Sequence, residues 1–206
     1  MSIDFDHDWD GRAAALDQGL TAPIDEEAAE RAVFDLLTAL GVDLDDPSLR
    51  DTPGRVARMY GELLTPRPFT VTTFPNDGSY DELVVVRDIP FSSLCEHHLM
   101  PFTGVAHVAY LPGERIVGLS KLARVVELYA RRLQVQERMT AQVADWLEAA
   151  LQPAGVGVVL EAEHLCMTVR GVQAPGARTI TSAVRGRLRE DARTRGEFLA
   201  LFRPHA

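Results

Sequence analysis

Two short stretches hold both cysteines of the chain and three of its six histidines. Residues 95–98 read Cys-Glu-His-His, and residues 164–166 read His-Leu-Cys. Thiolate and imidazole groups at this density are typical of a zinc site. We therefore predict a metal centre rather than a disulfide, because a cysteine pair flanked by histidines in a reducing compartment is more often a metal site.

The spacing within the first stretch separates a ligand pair from the neighbouring histidine. Cys95 and His98 lie three residues apart, so one tight turn directs both side chains to a single ion. His97 and His98 are adjacent, and adjacent side chains diverge in an extended or turning chain. If His98 binds the ion, His97 does not. A closed structural site with His97 as fourth ligand is the alternative.

Cys166 supplies a third ligand from a distant part of the chain. It lies 68 residues after His98, whereas a zinc finger closes its second ligand pair about 12 to 20 residues on. Three protein ligands with an open fourth position are typical of a catalytic zinc, which lowers the pKa of its bound water.

His164 lies two residues before Cys166, and in a predicted strand both side chains emerge from the same face. His97 and His164 would then act as general acid and base near the metal. The pattern therefore predicts zinc-assisted hydrolysis. A core histidine bonded to the backbone is the alternative for His164.

The composition predicts a soluble domain that remains in the cytoplasm. The chain has 206 residues, of which 46% are hydrophobic and 25% charged. No apolar run reaches the roughly 18 residues of a membrane helix, and the acidic start is unlike a signal peptide. A net charge of −9 argues against a general nucleic-acid surface. We therefore expect no membrane or nucleic-acid partner.

Hydrophobic periodicity predicts an α+β fold with an antiparallel sheet. We interpret residues 1–24 as a flexible acidic arm, residues 25–70 as an N-terminal helical region and residues 71–206 as the catalytic domain. The predicted helices begin after caps at Asp25, Thr52 and Ser120, and two more cover residues 139–150 and 192–202. Strands are predicted at 83–89, where Pro90 ends the strand, and at 102–111, 115–119, 156–162, 167–172 and 180–184. We expect 102–111 and 115–119 to form a hairpin around Pro112-Gly113.

Basic residues between the two metal stretches predict an anion-binding pocket. Ser120, Lys121 and Arg124 lie at a predicted helix start, where N–H groups and the helix dipole favour an anion. Arg170 follows Cys166 by four residues. A phosphorylated substrate would contact both groups, and a solvated helix face is the alternative.

Gln136 and Glu137 lie at the start of a long predicted helix. A fixed carboxylate accepts two parallel hydrogen bonds from the N–H groups on the Watson–Crick edge of guanine. Most Gln-Glu pairs are ordinary surface residues, so this pair alone does not identify a guanine site.

Five motifs in the same order resemble the zinc-dependent GTP cyclohydrolase I family. They are Cys95-Glu96-His97-His98, Pro101-Phe102-x-Gly104, Gly118-Leu119-Ser120-Lys121, Gln134-Val135-Gln136-Glu137-Arg138 and His164-x-Cys166-Met167-x-x-Arg170-Gly171-Val172, with Asp51-Thr52-Pro53 upstream. The resemblance covers about residues 25 to 203. It departs from the family pattern at Gly186-Arg187-Leu188, where an aromatic residue is usual, and the first 24 residues match nothing.

The resemblance implies conversion of GTP and water to formate and 7,8-dihydroneopterin triphosphate, the first step of pterin and tetrahydrofolate biosynthesis. It implies that zinc activates a water for attack on C8 of the purine. The implied roles are zinc ligation by Cys95, His98 and Cys166, proton transfer by His97 and His164, guanine binding by Gln136 and Glu137, and triphosphate and ribose binding by Ser120, Lys121, Arg124 and Arg170. Arg55 and Arg58 are additional phosphate candidates.

The same resemblance implies a tunnelling fold. In that fold, antiparallel sheets from several subunits close into a barrel, helices pack on one side of each sheet, and an N-terminal helical extension precedes them. Five-fold rings stack into a homodecamer whose active sites are shared between subunits. Two alternatives are a non-hydrolytic relative, such as a pterin synthase or nitrile reductase, and a structural zinc protein with decayed pockets. The zinc ligands argue against the reductase.

Overall fold

The structure, a computed structural model, describes residues 23–202. The predicted acidic arm, residues 1–24, lies almost entirely outside this range. Between residues 23 and 202, no helix has both the length and the apolar composition to cross a membrane. The elements in chain order are α1 Glu26–Ala39, α2 Thr52–Leu64, β1 Thr73–Pro75, β2 Val84–Cys95, β3 Pro101–Leu111, β4 Arg115–Val117, α3 Leu119–Ala130, β5 Leu133–Gln134, α4 Gln136–Leu151, β6 Gly155–His164, α5 Leu165–Thr168, β7 Thr179–Gly186, α6 Arg187–Glu190 and α7 Ala192–Ala200.

Five strands form the central sheet in the order β5-β2-β3-β6-β7. All neighbours are antiparallel except the short parallel pair of β2 with β5. The predicted α+β fold with an antiparallel sheet is therefore confirmed. The end of β2 at Cys95, the start of β3 and the end of β6 meet at one end of the sheet, where Phe102 pairs with His164.

Alternate side chains of β3 enter two different hydrophobic clusters, as the two-residue period of a strand requires. Val108 and Tyr110 pack into the larger cluster with α3 and α4, which cover one face of the sheet. Leu111 on the other face packs with Leu188 and Phe198 of the short C-terminal helices. Fully buried side chains on both faces make this sheet a rigid platform for the residues at its end.

The N-terminal helices pack on each other. Asp25 caps α1 by accepting a hydrogen bond of 2.9 Å from the Ala28 N–H, as predicted. The second helix begins one residue earlier than predicted, since Thr52 is its first residue and Asp51 its N-cap. The Asp51 carboxylate accepts a hydrogen bond of 3.2 Å from Arg55 instead of capping the helix with its side chain.

β2 continues through Pro90, so the prediction that Pro90 ends the strand is wrong. Pro90 pairs with Val105 of β3, and the other side of β2 is paired with β5 only at Leu94 and Cys95. Because Pro90 lies on this unpaired edge, its missing N–H does not interrupt the ladder.

The predicted hairpin of residues 102–111 with 115–119 is also wrong. β4 pairs with β1, for which no strand was predicted. β3 instead pairs with β2 and β6 along nearly its whole length. A proline-glycine pair predicts that the chain turns, but it does not identify the strand that pairs with the next segment.

Gly104 in β3 lies where the backbone of β6 approaches most closely. A Cβ atom at this position would lie 1.9 Å from the Glu161 carbonyl oxygen and 2.7 Å from the Ala162 Cα. No side chain fits against backbone atoms at such distances. The glycine of the Pro-Phe-x-Gly motif therefore allows the strands that position the site to pair closely.

Glu127 of α3 is an ionic centre that fixes the helix to the segment before β1. Its carboxylate, 15% exposed, accepts hydrogen bonds of 2.5 and 2.9 Å from Arg67 and lies 3.1 Å from both Arg124 and Arg131. Burial opposes ionisation of Glu127, but the hydrogen bonds from Arg67 and Arg124 outweigh it and lower its pKa. A lowered pKa in the folded state contributes stability above the ordinary carboxyl range, and this stability is lost as the pH falls.

Glu127→Gln is expected to lower the free energy of unfolding by about 1–2 kcal/mol near pH 7, because partly exposed arginines lose a charged acceptor. The difference from wild type should shrink toward pH 4. Urea unfolding at both pH values checks this. Glu148→Gln, an exposed change on α4, serves as the control and should alter stability by less than about 0.5 kcal/mol. Equal stability of Glu127→Gln and wild type near pH 7 would contradict the prediction.

Candidate metal centre and active site

The turn between β2 and β3 brings Cys95 and His98 together. The Cys95 carbonyl accepts hydrogen bonds from the N–H groups of His98 (3.3 Å) and Leu99 (2.9 Å). Leu99 adopts a left-handed conformation with φ of +53°, and the Cys95 N–H donates to the Met100 carbonyl. This tight turn places the Cys95 Sγ 3.6 Å from the His98 Nδ1.

Cys166 reaches the same place from α5, just after β6 ends. The prediction of a strand over residues 167–172 is wrong, because residues 165–168 form a short helix followed by a turn. His164 and Cys166 therefore do not share a strand face. The helix nevertheless directs the Cys166 thiol inward, and the ligand atoms of Cys95, His98 and Cys166 all lie within 4.8 Å of one another.

The chemistry of this group fits a soft or borderline metal cation. Burial raises the pKa of the Cys166 thiol, and the neighbouring Cys95 raises it further. Two thiolates this close repel each other unless a cation lies between them, and a metal binds the deprotonated thiol. Two buried sulfur donors and one imidazole are a donor set that zinc prefers.

His97 lies at the edge of the metal group without joining it. Its Nδ1 is 4.0 Å from the Cys95 Sγ, and its ring is inclined by 83° to that of His98. The side chain is 62% exposed, with its Nε2 3.6 Å from the Glu96 carboxylate. His97 is thus open to a molecule that approaches the metal group.

Glu96 and Arg138 form an ion pair that the sequence did not reveal. Arg138 donates hydrogen bonds to the Glu96 carboxylate, to the Gln134 side chain and to the Leu133 carbonyl. The hydrogen bond from Arg138 lowers the pKa of Glu96. These contacts hold the turn between β2 and β3, which carries Cys95 and His98, against the start of α4. Their only signal was that both residues belong to motifs that also contain predicted site residues.

His164 lies at the end of β6 against an aromatic ring. It stacks on Phe102, with ring centroids 4.5 Å apart and planes 2° from parallel. Its Nε2 is 2.8 Å from the Gln136 Oε1. Burial lowers the pKa of His164, and the negative charge of Glu137 partly opposes that effect.

Gln136 and Glu137 begin α4, but their side chains lie in different surroundings. Gln136 is 1% exposed and its amide nitrogen contacts groups of β6 and β7. Glu137 is exposed. The first N–H groups of a helix have no partner within the helix, so this end of α4 presents donors beside an open carboxylate.

Two of the predicted anion-binding residues, Ser120 and Lys121, lie in the first turn of α3, at the end of the helix that does not adjoin the metal group. The prediction that Ser120 caps this helix is wrong, because Gly118 is the N-cap and Ser120 lies in the first turn. Near this end of α3, the Val117 N–H donates to the Tyr110 hydroxyl, and Tyr110 pairs with Val84 at the start of β2.

The opposite end of α3 leads into β5, which pairs with Cys95. A helix of 12 residues is about 18 Å long. Ser120 and Lys121 therefore lie about 14 to 15 Å, measured along the helix, from the end that adjoins the metal group. Arg124 donates a hydrogen bond of 3.1 Å to Glu127 in the same helix. Arg170, in contrast, is exposed after α5, and its charge acts on the Cys166 thiol.

Comparison with known proteins shows a family match along most of the chain. Residues 29–203 match the family described as GTP cyclohydrolase I. GTP cyclohydrolase 1 of Streptomyces avermitilis is 56% identical over 189 residues, which cover 89% of this chain and 94% of that protein. GTP cyclohydrolase 1 of Aquifex aeolicus is 53% identical over 178 residues, which cover 86% of this chain and 97% of that protein.

One solved structure, titled as an archaeosine synthase QueF-Like in the apo form, aligns with 50% of this chain and 93% of its own at 18% identity and a TM-score of 0.43. The family match and the two relatives cover the stretches with all the predicted metal, histidine and substrate residues. The resemblance on which the tunnelling-fold prediction rested is therefore confirmed, and this chain belongs to the GTP cyclohydrolase I family.

Proposed function

We propose that this chain converts GTP and water to formate and 7,8-dihydroneopterin triphosphate, the first step of pterin and tetrahydrofolate biosynthesis. The observation that carries this proposal is the group of Cys95, His98 and Cys166, with His97 at its edge. The reaction hydrolyses the purine at C8, opens the five-membered ring and expels C8 as formate. The ribose then opens and rearranges, and a new ring closes.

Zinc is the metal that Cys95, His98 and Cys166 hold. Its support is the donor set of two thiols and one imidazole, since three protein ligands of these types are typical of a catalytic zinc. When bound, zinc acts as a Lewis acid and lowers the pKa of a coordinated water toward neutrality.

His97 and His164 carry protons during ring opening and formate release. Two observations support this role for His97: its side chain is exposed, and its Nδ1 lies 4.0 Å from the Cys95 Sγ. His164 has a fixed ring plane against Phe102, and its lowered pKa keeps the imidazole neutral and basic near pH 7. A neutral base and a neighbouring acid are what alternating proton transfers require.

The start of α4 binds the guanine. The exposed Glu137 carboxylate accepts hydrogen bonds from N1–H and the exocyclic amine, which adenine does not offer in this arrangement. Guanine O6 lies on the same edge and needs a donor, and the main-chain N–H of Gln136 at the helix start supplies one. Both residues of the pair thus contribute, one by its side chain and one by its backbone.

The triphosphate and ribose bind Ser120, Lys121, Arg124 and Arg170. Three cationic side chains and the first turn of α3 offset a strongly negative ligand. Arg55 and Arg58 of α2 add to the phosphate site. These residues also explain how an acidic chain binds an anion, since its positive charges gather in pockets.

The active form is a homo-oligomer, a decamer of two pentamers with active sites at subunit interfaces. Its support is the separation of Lys121, by about 14 Å along α3, from the end of the helix that adjoins the metal group of its own chain, because one GTP must contact both. A second copy is then required to bring α3 to the metal. Exposed Leu119, Val172 and Ile180 supply apolar surface for such contacts.

Mixing two inactive variants is expected to restore activity if sites are shared in this way. Lys121→Ala impairs phosphate binding, and Cys166→Ala removes a metal ligand. In a mixed oligomer, some sites combine the intact metal group of one chain with Lys121 of the other and are complete. Co-expression of the two variants should recover a substantial fraction of wild-type turnover. Turnover no higher than the sum of the separate variants would contradict shared sites.

The cytoplasm is the location that suits this chain. Both cysteines are free thiols, and zinc ligation requires that they stay reduced, as in the cytosol. Fractionation with detection of the chain tests this.

The direct test of the function is incubation of the zinc-loaded protein with GTP. Formate should appear together with a pterin that becomes fluorescent after oxidation. Absence of both products from metal-loaded oligomer would overturn the proposed function.

A further inference from the structure

The orientation of one buried amide links Gln136 to the chemistry of His164. The Gln136 Nε2 lies 3.2 Å from the Leu160 carbonyl oxygen, 3.0 Å from the Thr179 carbonyl oxygen and 3.1 Å from the Thr181 Oγ1. Carbonyl oxygens only accept hydrogen bonds, so the NH₂ group of the amide must face them. The Oε1 of Gln136 therefore faces His164.

Two threonine hydroxyls support the same orientation. The Thr140 Oγ1 donates its proton to the Gln136 carbonyl at 2.7 Å, so it accepts the proton of the Thr181 hydroxyl, also at 2.7 Å. The Thr181 oxygen then remains an acceptor for the amide of Gln136. A flipped amide would place its oxygen against two carbonyl oxygens in a buried site, which is strongly unfavourable.

This orientation determines which nitrogen of His164 carries the proton. The Gln136 Oε1 can only accept, and the His164 Nε2 lies 2.8 Å from it, so Nε2 must be the N–H. A neutral imidazole has one N–H, and the Nδ1 of His164 is consequently the basic atom. The ring cannot turn freely, because one face stacks on Phe102.

We propose that the Gln136 side chain is a positioning residue that holds His164 in the Nε2–H tautomer and leaves Nδ1 to exchange protons with the substrate. This inference rests on the proposed function and adds a role to the guanine-binding pair. Gln136 acts behind the histidine through its side chain, while Glu137 faces the substrate.

Four variants compared on zinc-loaded protein test this role: Gln136→Met, His164→Ala, the double variant and Gln142→Met. Gln136→Met keeps the length of the side chain but removes the acceptor. In serine proteases, loss of the correct histidine tautomer lowers kcat about 10⁴-fold, and we expect a loss of about 10²- to 10⁴-fold here. The KM for GTP should stay within about threefold of wild type. The double variant should be no slower than His164→Ala.

Gln142→Met is the matched control on the same helix. Gln142 accepts a hydrogen bond from Gln134 and contacts no histidine in this network, so its kcat should match wild type. A KM at least tenfold higher with retained kcat for Gln136→Met would overturn the inference in favour of a guanine contact. Losses that multiply in the double variant would also overturn it.

If the methionine variant does not fold, Gln136→Glu tests the same role, because it keeps an acceptor for the His164 Nε2–H. A protonated carboxyl at this buried position donates through its O–H to a carbonyl and accepts from the His164 Nε2 through its other oxygen. We expect kcat within about tenfold of wild type and an unchanged KM. A larger loss or a tenfold higher KM would overturn the inference. Wild-type protein that releases no formate would instead refute the proposed function, so the two failures are distinguishable.

Discussion

Cys166→Ala is expected to lose its zinc and all measurable GTP turnover. The ligand atoms of Cys95, His98 and Cys166 all lie within 4.8 Å of one another, and a zinc site of three protein ligands loses most of its affinity when one of them is removed. Metal analysis should show about one zinc per chain in the wild type and background levels in the variant.

Met167→Ala is the neighbouring control for this change. Met167 follows Cys166 and is 38% exposed, so its truncation leaves the donor set intact and should keep the zinc. Zinc retained at the wild-type level by Cys166→Ala would mean that the ligand set is wrong. His97, 4.0 Å from the Cys95 thiol, would then be the first side chain to test as a replacement ligand.

His97→Ala and His164→Ala are expected to keep most of their zinc and lose about 10²- to 10⁴-fold in kcat, the usual contribution of a general acid or base. The reason is that His97 lies beside the Cys95 thiol and His164 lies two residues before Cys166, yet neither ring belongs to the metal group. Zinc content and steady-state turnover, measured on the same preparations, separate loss of metal from loss of chemistry.

Each outcome of the histidine variants identifies a different role for the histidine concerned. If His97→Ala empties the site, the closed four-ligand alternative applies and His97 is a ligand. Full turnover of zinc-loaded His164→Ala would show that the stacked imidazole is structural. In that event the hydrogen bond with Gln136 would serve packing alone.

The closeness of Cys95 and His98 and the α+β class of the fold were predictable because they depend on residue type and local spacing. Cys95 and His98 at a three-residue interval require only a tight turn, and the turn between β2 and β3 provides it. The thiol of Cys166 could be predicted as a member of the same group because the chain has only two cysteines.

Pairing of distant segments was less predictable, since it depends on tertiary packing. The chain turns after β3 as expected, yet β4 pairs with β1 rather than with β3. Residues 165–168 form a helix although their apolar composition suits a strand equally well, and short apolar runs are ambiguous in this respect.

The burial of Gln136 could have been predicted from the helical spacing of its buried neighbours. Gln136, Met139, Thr140 and Val143 follow the spacing i, i+3, i+4 and i+7, and all four are buried. Glu137 is one position, about 100°, away from that face and is exposed. The period thus predicts which of the two residues faces inward. It does not reveal that the buried amide bonds a histidine.

The most direct test of the proposed function follows the fate of C8. Zinc-loaded protein supplied with GTP labelled with ¹³C at C8 should release ¹³C-formate in equal amount to the pterin triphosphate, as observed by NMR. Label that remains in the nucleotide or in the pterin product would contradict hydrolysis at C8, and with it the proposed function of the Cys95, His98 and Cys166 group.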